Sequence, residues 1–286
     1  MKLNKEKLVM MSVQGKVDHP GMAASAYRVG YDGMGRIAMS VGGITYNYKI
    51  GDSCMGIAGD HVEPGVSLKN PVDKENNALQ AFACIGNKAK IISGDAKGHV
   101  GYVSGKHGGI DHVMVYFEKD TLDLMTSDDK VMIKAFGQGL KLIEHKDIHV
   151  MNIDPDLFEK LGIKETNEGL EIPVVCQIPA YLMGSGLGSA TTMLGDYDIM
   201  TQDKEANKEF HIDTLKFGDL VMINDHDNHY GPHYLKGAIS VGVIVHSDSF
   251  TSGHGPGVAV ILTSKTSNIK PIFNEQANIA NYLGIE

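Results

Sequence analysis

The apolar positions of this chain fall in short Val- and Ile-rich runs, among them IPVVCQIPAYLM, GDLVMIND, ISVGVIVH and GVAVILTS. Runs of about five to eight residues, rich in β-branched side chains and bounded by Gly, Asp or Pro, read as strands. From Gly30 to Asp52 short β-rich runs alternate with Gly-containing turns at close spacing, the mark of an antiparallel meander or barrel. Helical periodicity is confined to three places. DKENNALQAFACIG, from Asp73 to Gly86, offers an Asp N-cap, an acidic first turn, apolar Leu79, Phe82 and Ala83, and a Gly stop. DPDLFEKLG, from Asp154 to Gly162, places Pro in the first helical position and closes on Gly. NEQANIANYLG, from Asn274 to Gly284, sets Ile279, Tyr282 and Leu283 on one side of a terminal helix.

These elements predict a mainly β fold: two barrel-like or sandwich halves with a few short helices, the first over residues 1–150 and the second over 151–286. An internal echo supports the division. Residues 101–117 and 242–262 both run from a strand through a Gly-flanked His loop into an apolar strand, which would make His107 and His254 equivalent. The break falls near Asn152 to Thr166, where charged and helix-capping residues interrupt the strand pattern.

Composition narrows the function classes. A 42% hydrophobic fraction in 286 residues supplies a proper core. A formal net charge of −9, with no Lys/Arg cluster, argues against nucleic acid as a partner. No apolar run approaches the roughly 18 residues of a membrane span, and the N-terminus lacks the apolar segment of a secretory signal, so the sequence predicts a cytoplasmic protein without membrane contact. Cys54, Cys84 and Cys176 are odd in number and lack CxxC spacing; they read as small core residues. Short Gly-broken strands leave edges that a symmetric homo-oligomer would cover.

The densest candidate chemistry lies in Phe217 to Tyr234, FGDLVMINDHDNHYGPHY, with two carboxylates and three imidazoles between Asp225 and His233. Carboxylates suit hard divalent ions and imidazole shifts the preference toward Zn, Fe or Ni. Asp225 and Asp227, two apart, share a side if the strand continues through them. The competing reading is a turn whose Asp and Asn side chains bond local N–H groups. Asp60, His61 and Glu63 in GDHVEPGVS form a second constellation, as metal ligands (Asp60, His61) or general base (Glu63), against a hydrogen-bonded turn. The third is the set of Gly-flanked histidines, His107 in GKHGG and His254 in GHGPG, placed to act as acid, base or ligand. His246 ends the strand before that last loop and adds a metal-ligand candidate.

The ordered segments GGITYNYKIGD, GDHVEP, GDAKGHVGYVSGKHGG, IPAYLMGSGLGS, GDLVMIND and GHGPGVAVILTS, spread over nearly the whole chain, resemble a bacterial and archaeal family of about this length classed as a domain of unknown function. PVVCQIPAYLMGSGLGSATTMLGDYD is also similar to the acetamidase/formamidase family, in which a PV strand leads into a GDxHAxxGDGE pattern. Gly188 and Gly195 match, Asp196 falls on the second acidic position and Asp198 on the glutamate, whereas Ser189 and Thr191 stand where that family has Asp and His. The resemblance implies a metal-dependent amidase that must draw ligands from elsewhere, such as Asp225 and His254.

The resulting expectation is a metal-assisted hydrolase of a small amide or related carbonyl compound, with Asp225, Asp227, Asp60, His61 and His246 around a divalent ion (Zn, Mn or Fe) and His254, His107 or Glu63 moving the proton. The competing class is a non-catalytic protein that binds a small-molecule ligand or a metal.

Overall fold

The computed structural model describes residues 1–21, 26–37 and 41–285. The fold is mainly β, as the short strand runs predict. In the first half Met11–Val17 pairs with Lys130–Ala135, and the antiparallel order continues through Lys88–Ile91, Val100–His107, His112–Tyr116 and Gly65–Lys69. Gly65–Lys69 then returns to the first strand through Lys16↔Lys69 and Val17↔Leu68, closing a six-stranded barrel. Alternation drives this: Lys130–Ala135 buries every second residue, as a strand with one face in a core must. Val17, Val66, Leu68, Ile91, Val103, Val113, Val131 and Ile133 fill the interior. The helix Asp73–Phe82 packs Leu79 into the same core. A Cβ on Gly15 would come within 2.9 Å of the Leu79 side chain, so helix and barrel wall are in direct contact there.

The second half is built on a sheet in the order Ile148–Val150, Gly257–Ser264, His233–His246, Leu220–Asp227 and Cys176–Ile178, with Tyr197–Asp198 as an additional strand beside Gly257–Ser264. A separate three-stranded sheet of Lys164–Thr166, Gly169–Val174 and Ile269–Phe273 shares its core through Leu170, Ile172, Val174 and Ile269. The two halves share a wall. His112–Tyr116 is buried throughout; Val113 and Val115 belong to the barrel core, while Met114 and Tyr116 belong to the core of the second half. One strand thus serves two cores with its two faces, which is why its sequence is apolar without alternation. Gly105 brings Val100–His107 against the second sheet, since a Cβ there would lie 2.5 Å from Val245.

The short helices sit close to their predicted places. Asp154 caps Pro155–Lys160 by accepting from the Asp156 N–H. Ile279–Leu283 closes on Gly284 in the left-handed conformation and buries Ile279. Asp73 is the first helical residue rather than the cap, and Lys204–Glu209, capped by Asp203, is a helix that the periodicity does not signal. Of the predicted meander over 30–52, residues 38–40 lie outside the described residues. Its described part holds the hairpin strand Gly35–Ile37, paired with Tyr27–Val29, and the short strand Ile44–Thr45. All three cysteines are buried and free. Among the described residues no helix is long and apolar enough to cross a membrane.

Candidate metal centre

Four histidines and two aspartates from separate segments converge where the barrel meets the second sheet, in two adjoining groups: His61, Asp198 and His254, and His107, Asp196 and His246. Within each group the ligand atoms lie within 4.8 Å of one another. The ring centroids of His107 and His246 are 4.3 Å apart, and those of His61 and His246 4.9 Å apart, so the groups are contiguous.

Each element places its side chain for a reason. Val100–His107 and His112–Tyr116 form a hairpin whose last register pair is His107↔His112. Both imidazoles turn to the buried Glu63: His107 Nδ1 lies 2.6 Å from Glu63 Oε1 and His112 Nδ1 2.9 Å from Oε2. The loop carrying Asp60 to Glu63 is zipped onto the second half, with the Val62 N–H donating to Ser247 Oγ and the Ser247 N–H to the Val62 carbonyl. His61 takes a positive φ of 56°, an uncommon conformation for a residue other than Gly, of the sort that clusters at functional sites. Tyr197–Asp198 pairs with Gly257–Ser264 through Asp198↔Gly257. Asp196 and Asp198, two apart, face the histidines, while Tyr197 between them is buried and stacks on His226.

The orientation of the rings is the informative feature. His61 Nδ1 faces Asp60 Oδ1 at 3.2 Å, His107 Nδ1 faces Glu63, and His246 Nδ1 faces the Ser247 carbonyl at 2.9 Å. With Nδ1 of His107 and His246 engaged outward, Nε2 of each faces the cluster, the arrangement by which metal-ligating histidines are usually held, while His61 Nε2 lies 2.9 Å from His254 Nδ1. Across the cluster, His61 Nε2 lies 3.3 Å and His254 Nδ1 3.0 Å from Asp198 Oδ2, and His246 Nε2 lies 2.8 Å from Asp196 Oδ2. Asp196 Oδ1 is fixed by the Gly108 N–H at 2.8 Å.

Charge follows the geometry. Burial opposes ionisation of Asp198, but the imidazoles of His246, His254 and His61 hold its carboxyl well below the usual range. Glu63 is likewise driven up by burial and held well below its ordinary value by His107 and His112. Burial alone would lower His246 and His61; Asp196 and Asp198 raise the first well above the imidazole range, and Asp198 and Asp60 raise the second. Buried carboxylates that draw protons onto the facing imidazoles would draw a divalent ion into the same place, with those protons released.

The cluster opens on a cavity of about 450 Å³ walled by Gly108, Asp111, Ser185, Ser189 and Thr191. The loop over 184–195 is held by Lys106, which is fully buried and donates to the Asn152 Oδ1 and the Met193 carbonyl, both at 2.9 Å; burial lowers its pKa to about 8.

Sequence comparison covers both halves. Residues 27–159 match the N-terminal and residues 160–283 the C-terminal domain of unknown function DUF4438. The chain belongs to the DUF4438 family. A solved structure titled "Crystal structure of TM1086" is 51% identical over 99% of both chains, with a TM-score of 0.95. No curated protein matches the DUF4438 chain. These matches lend no support to the acetamidase/formamidase resemblance.

Of the residues singled out from the sequence, His61, His107, His246 and His254 are in the cluster. Asp60 and Glu63 stand behind it: Asp60 accepts from Ser249 Oγ and faces Arg28 at 3.3 Å, and neither carboxylate lines the cavity. Glu63 therefore orients His107 rather than meeting a substrate. Asp225 and Asp227 belong to neither group. Asp225 has a φ of 53° and accepts from the Gly237 N–H at 2.6 Å, at a register shift between Asn224 and His226. That bulge breaks the alternation on which their convergence was expected. Asp196 and Asp198 were visible in the sequence only through the acetamidase/formamidase resemblance; the Asp-x-Asp spacing of GDYD was the signal the residues themselves carried. The expected equivalence of His107 with His254 also shifts, because it is His246 that, like His107, ends its strand.

Proposed function

We propose that this chain is a divalent-metal-dependent hydrolase of a small amide or related carbonyl compound, with the metal held at His61, Asp198 and His254 beside His107, Asp196 and His246. The observation that carries the reading is the set of three imidazoles whose Nδ1 atoms face Asp60, Glu63 and the Ser247 carbonyl, which turns Nε2 of each toward the ligand groups. Two imidazoles and a carboxylate per group suit Zn, Mn or Fe. A bound ion of this kind polarises a carbonyl oxygen and lowers the pKa of water to about 7. Amide hydrolysis then breaks the acyl C–N bond, forms a C–O bond to water, and delivers one water proton to the leaving nitrogen. Among the described residues lining the cavity, Asp111 is the titratable group outside both ligand groups. We assign it the proton transfer. Ser185, Ser189 and Thr191 give a polar wall for a small substrate.

The test is metal content by mass spectrometry on protein purified without chelator, followed by turnover of formamide, acetamide and short N-substituted amides. Expected are a bound first-row ion, turnover that a chelator removes and the metal restores, and a loss of about 10² or more in kcat for Asp111→Asn with metal retained. Retained metal without turnover makes the chain a binding protein, and absence of metal overturns the reading.

A further inference from the structure

We infer that the centre is dinuclear, with Asp198 bridging an outer ion at His61 and His254 and an inner ion at His107, Asp196 and His246. The inference rests on the metal reading above and deepens it.

Three observations on the inner group carry it. First, His246 Nε2 and Asp196 Oδ2 are buried, their side chains 0% and 3% exposed, and neither atom makes a hydrogen bond although they stand 2.8 Å apart. Buried polar atoms are seldom left unpaired; two of opposite character, aimed at the same space and misaligned for each other, are what a pair of ligands looks like around an ion.

Second, the other nitrogens and oxygens of this group are already engaged. Glu63 holds His107 Nδ1, the Ser247 carbonyl holds His246 Nδ1, and the Gly108 N–H holds Asp196 Oδ1. The free atoms are those that face inward.

Third, the backbone makes room. A Cβ on Gly257 would sit 1.8 Å from Asp196 Oδ2 and 2.2 Å from His246 Nε2, so any side chain at 257 would enter the space between the two ligands.

The bridge follows from Asp198, whose two oxygens face different groups. Oδ2 lies 3.0 Å from His254 Nδ1 and 3.3 Å from His61 Nε2, while Oδ1 lies 3.6 Å from His246 Nε2. A carboxylate with one oxygen toward each of two ligand sets is the natural bridge between ions about 3.5–4 Å apart, a spacing that clamps two oxygens of one reacting group. The ligand class of the inner site is a divalent first-row ion, and the pair is suited to a substrate or water that spans both.

The experiment is reconstitution of the full chain with Mn²⁺, metal-to-protein ratio by mass spectrometry, and electron paramagnetic resonance of the bound ions. Expected are two Mn²⁺ per chain with an exchange-coupled spectrum. His254→Ala, at the more exposed edge, and Gly257→Ala, at the inner site, should each retain one ion and show an uncoupled spectrum. A single ion in the wild type overturns the dinuclear inference and leaves the metal reading standing. No ion overturns both. Two ions without coupling overturn the bridge through Asp198. Should Gly257→Ala fail to fold, the wild-type ratio and spectrum decide alone.

Discussion

Two regions of this chain are rich in Asp and His, and the structure uses them differently. Around Asp225 to His233 the carboxylates are satisfied by nearby donors. Asp227 accepts from His229 Nδ1 at 2.6 Å, and Asp225 from the Gly237 N–H. Asn228 donates to Ser240 Oγ and Tyr197 Oη, and the Pro232 carbonyl accepts from the Gly188 N–H. This stretch supports the cavity loop over 184–195 from behind. At Asp196 and His246 the outward partners are present, but Oδ2 of the first and Nε2 of the second are buried without a hydrogen bond. The difference between scaffold and site is thus not the number of acids and imidazoles; it is whether their lone pairs are consumed by the fold.

The largest expected effect breaks that comparison if it fails. Asp198→Ala should remove bound metal and lower amide turnover by about 10³ or more, since a ligand and its charge are both lost. Asp227→Ala, an equally buried carboxylate, should retain the metal and most of the turnover. Metal analysis and kcat on the same two preparations check it. Loss of metal in Asp227→Ala with retention in Asp198→Ala would place the centre at the wrong Asp/His cluster.

The fold was legible because its determinants are local. Strand length, Gly turns and the Asp154 cap with Pro155 at the first helical position can all be read from neighbouring residues. Barrel closure cannot: Val17↔Leu68 is a pairing across half a hundred residues of chain, and MSVQGKV of Met11–Val17 carries only a weak alternation. The same limit governs the centre. The sequence identifies His61, His107, His246 and His254 as ligand-type residues in Gly-rich loops. Whether a given Nε2 is free, however, depends on Asp60, Glu63 and Ser247, and those partners are set by packing between the two halves. Asp225-x-Asp227 and Asp196-x-Asp198 have identical spacing, but the bulge at Asn224/His226 breaks the alternation of the first, while Asp196 and Asp198 both face the histidines. The glycines of GHGPG teach a related point. Positive φ is required at Gly253 (78°), whereas Gly255 is enforced by the Ile199 carbonyl, which a Cβ would meet at 1.8 Å.

A buried carboxylate without imidazoles sharpens the comparison. Asp219 accepts from Asn278 Nδ2 and the Lys216 N–H, both at 2.8 Å. Burial dominates these contacts and raises its pKa from 3.8 to about 6, opposite in direction to Asp198. A raised folded-state pKa means that the folded chain holds the proton more tightly than the unfolded one. The stabilisation is therefore fully present below about 4 and is lost as pH rises through about 6. Linkage puts the change on the order of 3 kcal/mol. Asp219→Asn removes the titration. The melting temperature of wild type minus variant should fall between pH 4.5 and 7, and a flat difference means that Asp219 ionises normally in the fold.

The smallest expected effect tests the scaffold side. Asp225 combines a left-handed backbone (φ 53°) with a side-chain bond to the Gly237 N–H. Asp and Asn tolerate that conformation better than other non-Gly residues, and the bond anchors the bulge where Leu220–Asp227 resumes pairing with His233–His246. Asp225→Ala loses both features and should cost about 1 kcal/mol, lowering the melting temperature by about 2–4 °C for a chain of this size. Asp225→Asn retains an acceptor and the backbone tolerance, so it should melt close to wild type. Bound metal should be unchanged in both variants, because Asp225 belongs to neither ligand group. The pair separates two roles that the sequence could not distinguish. If Asp225→Ala melts normally and loses metal, Asp225 acts as a ligand; if it melts lower and retains metal, the residue does its work through the bulge.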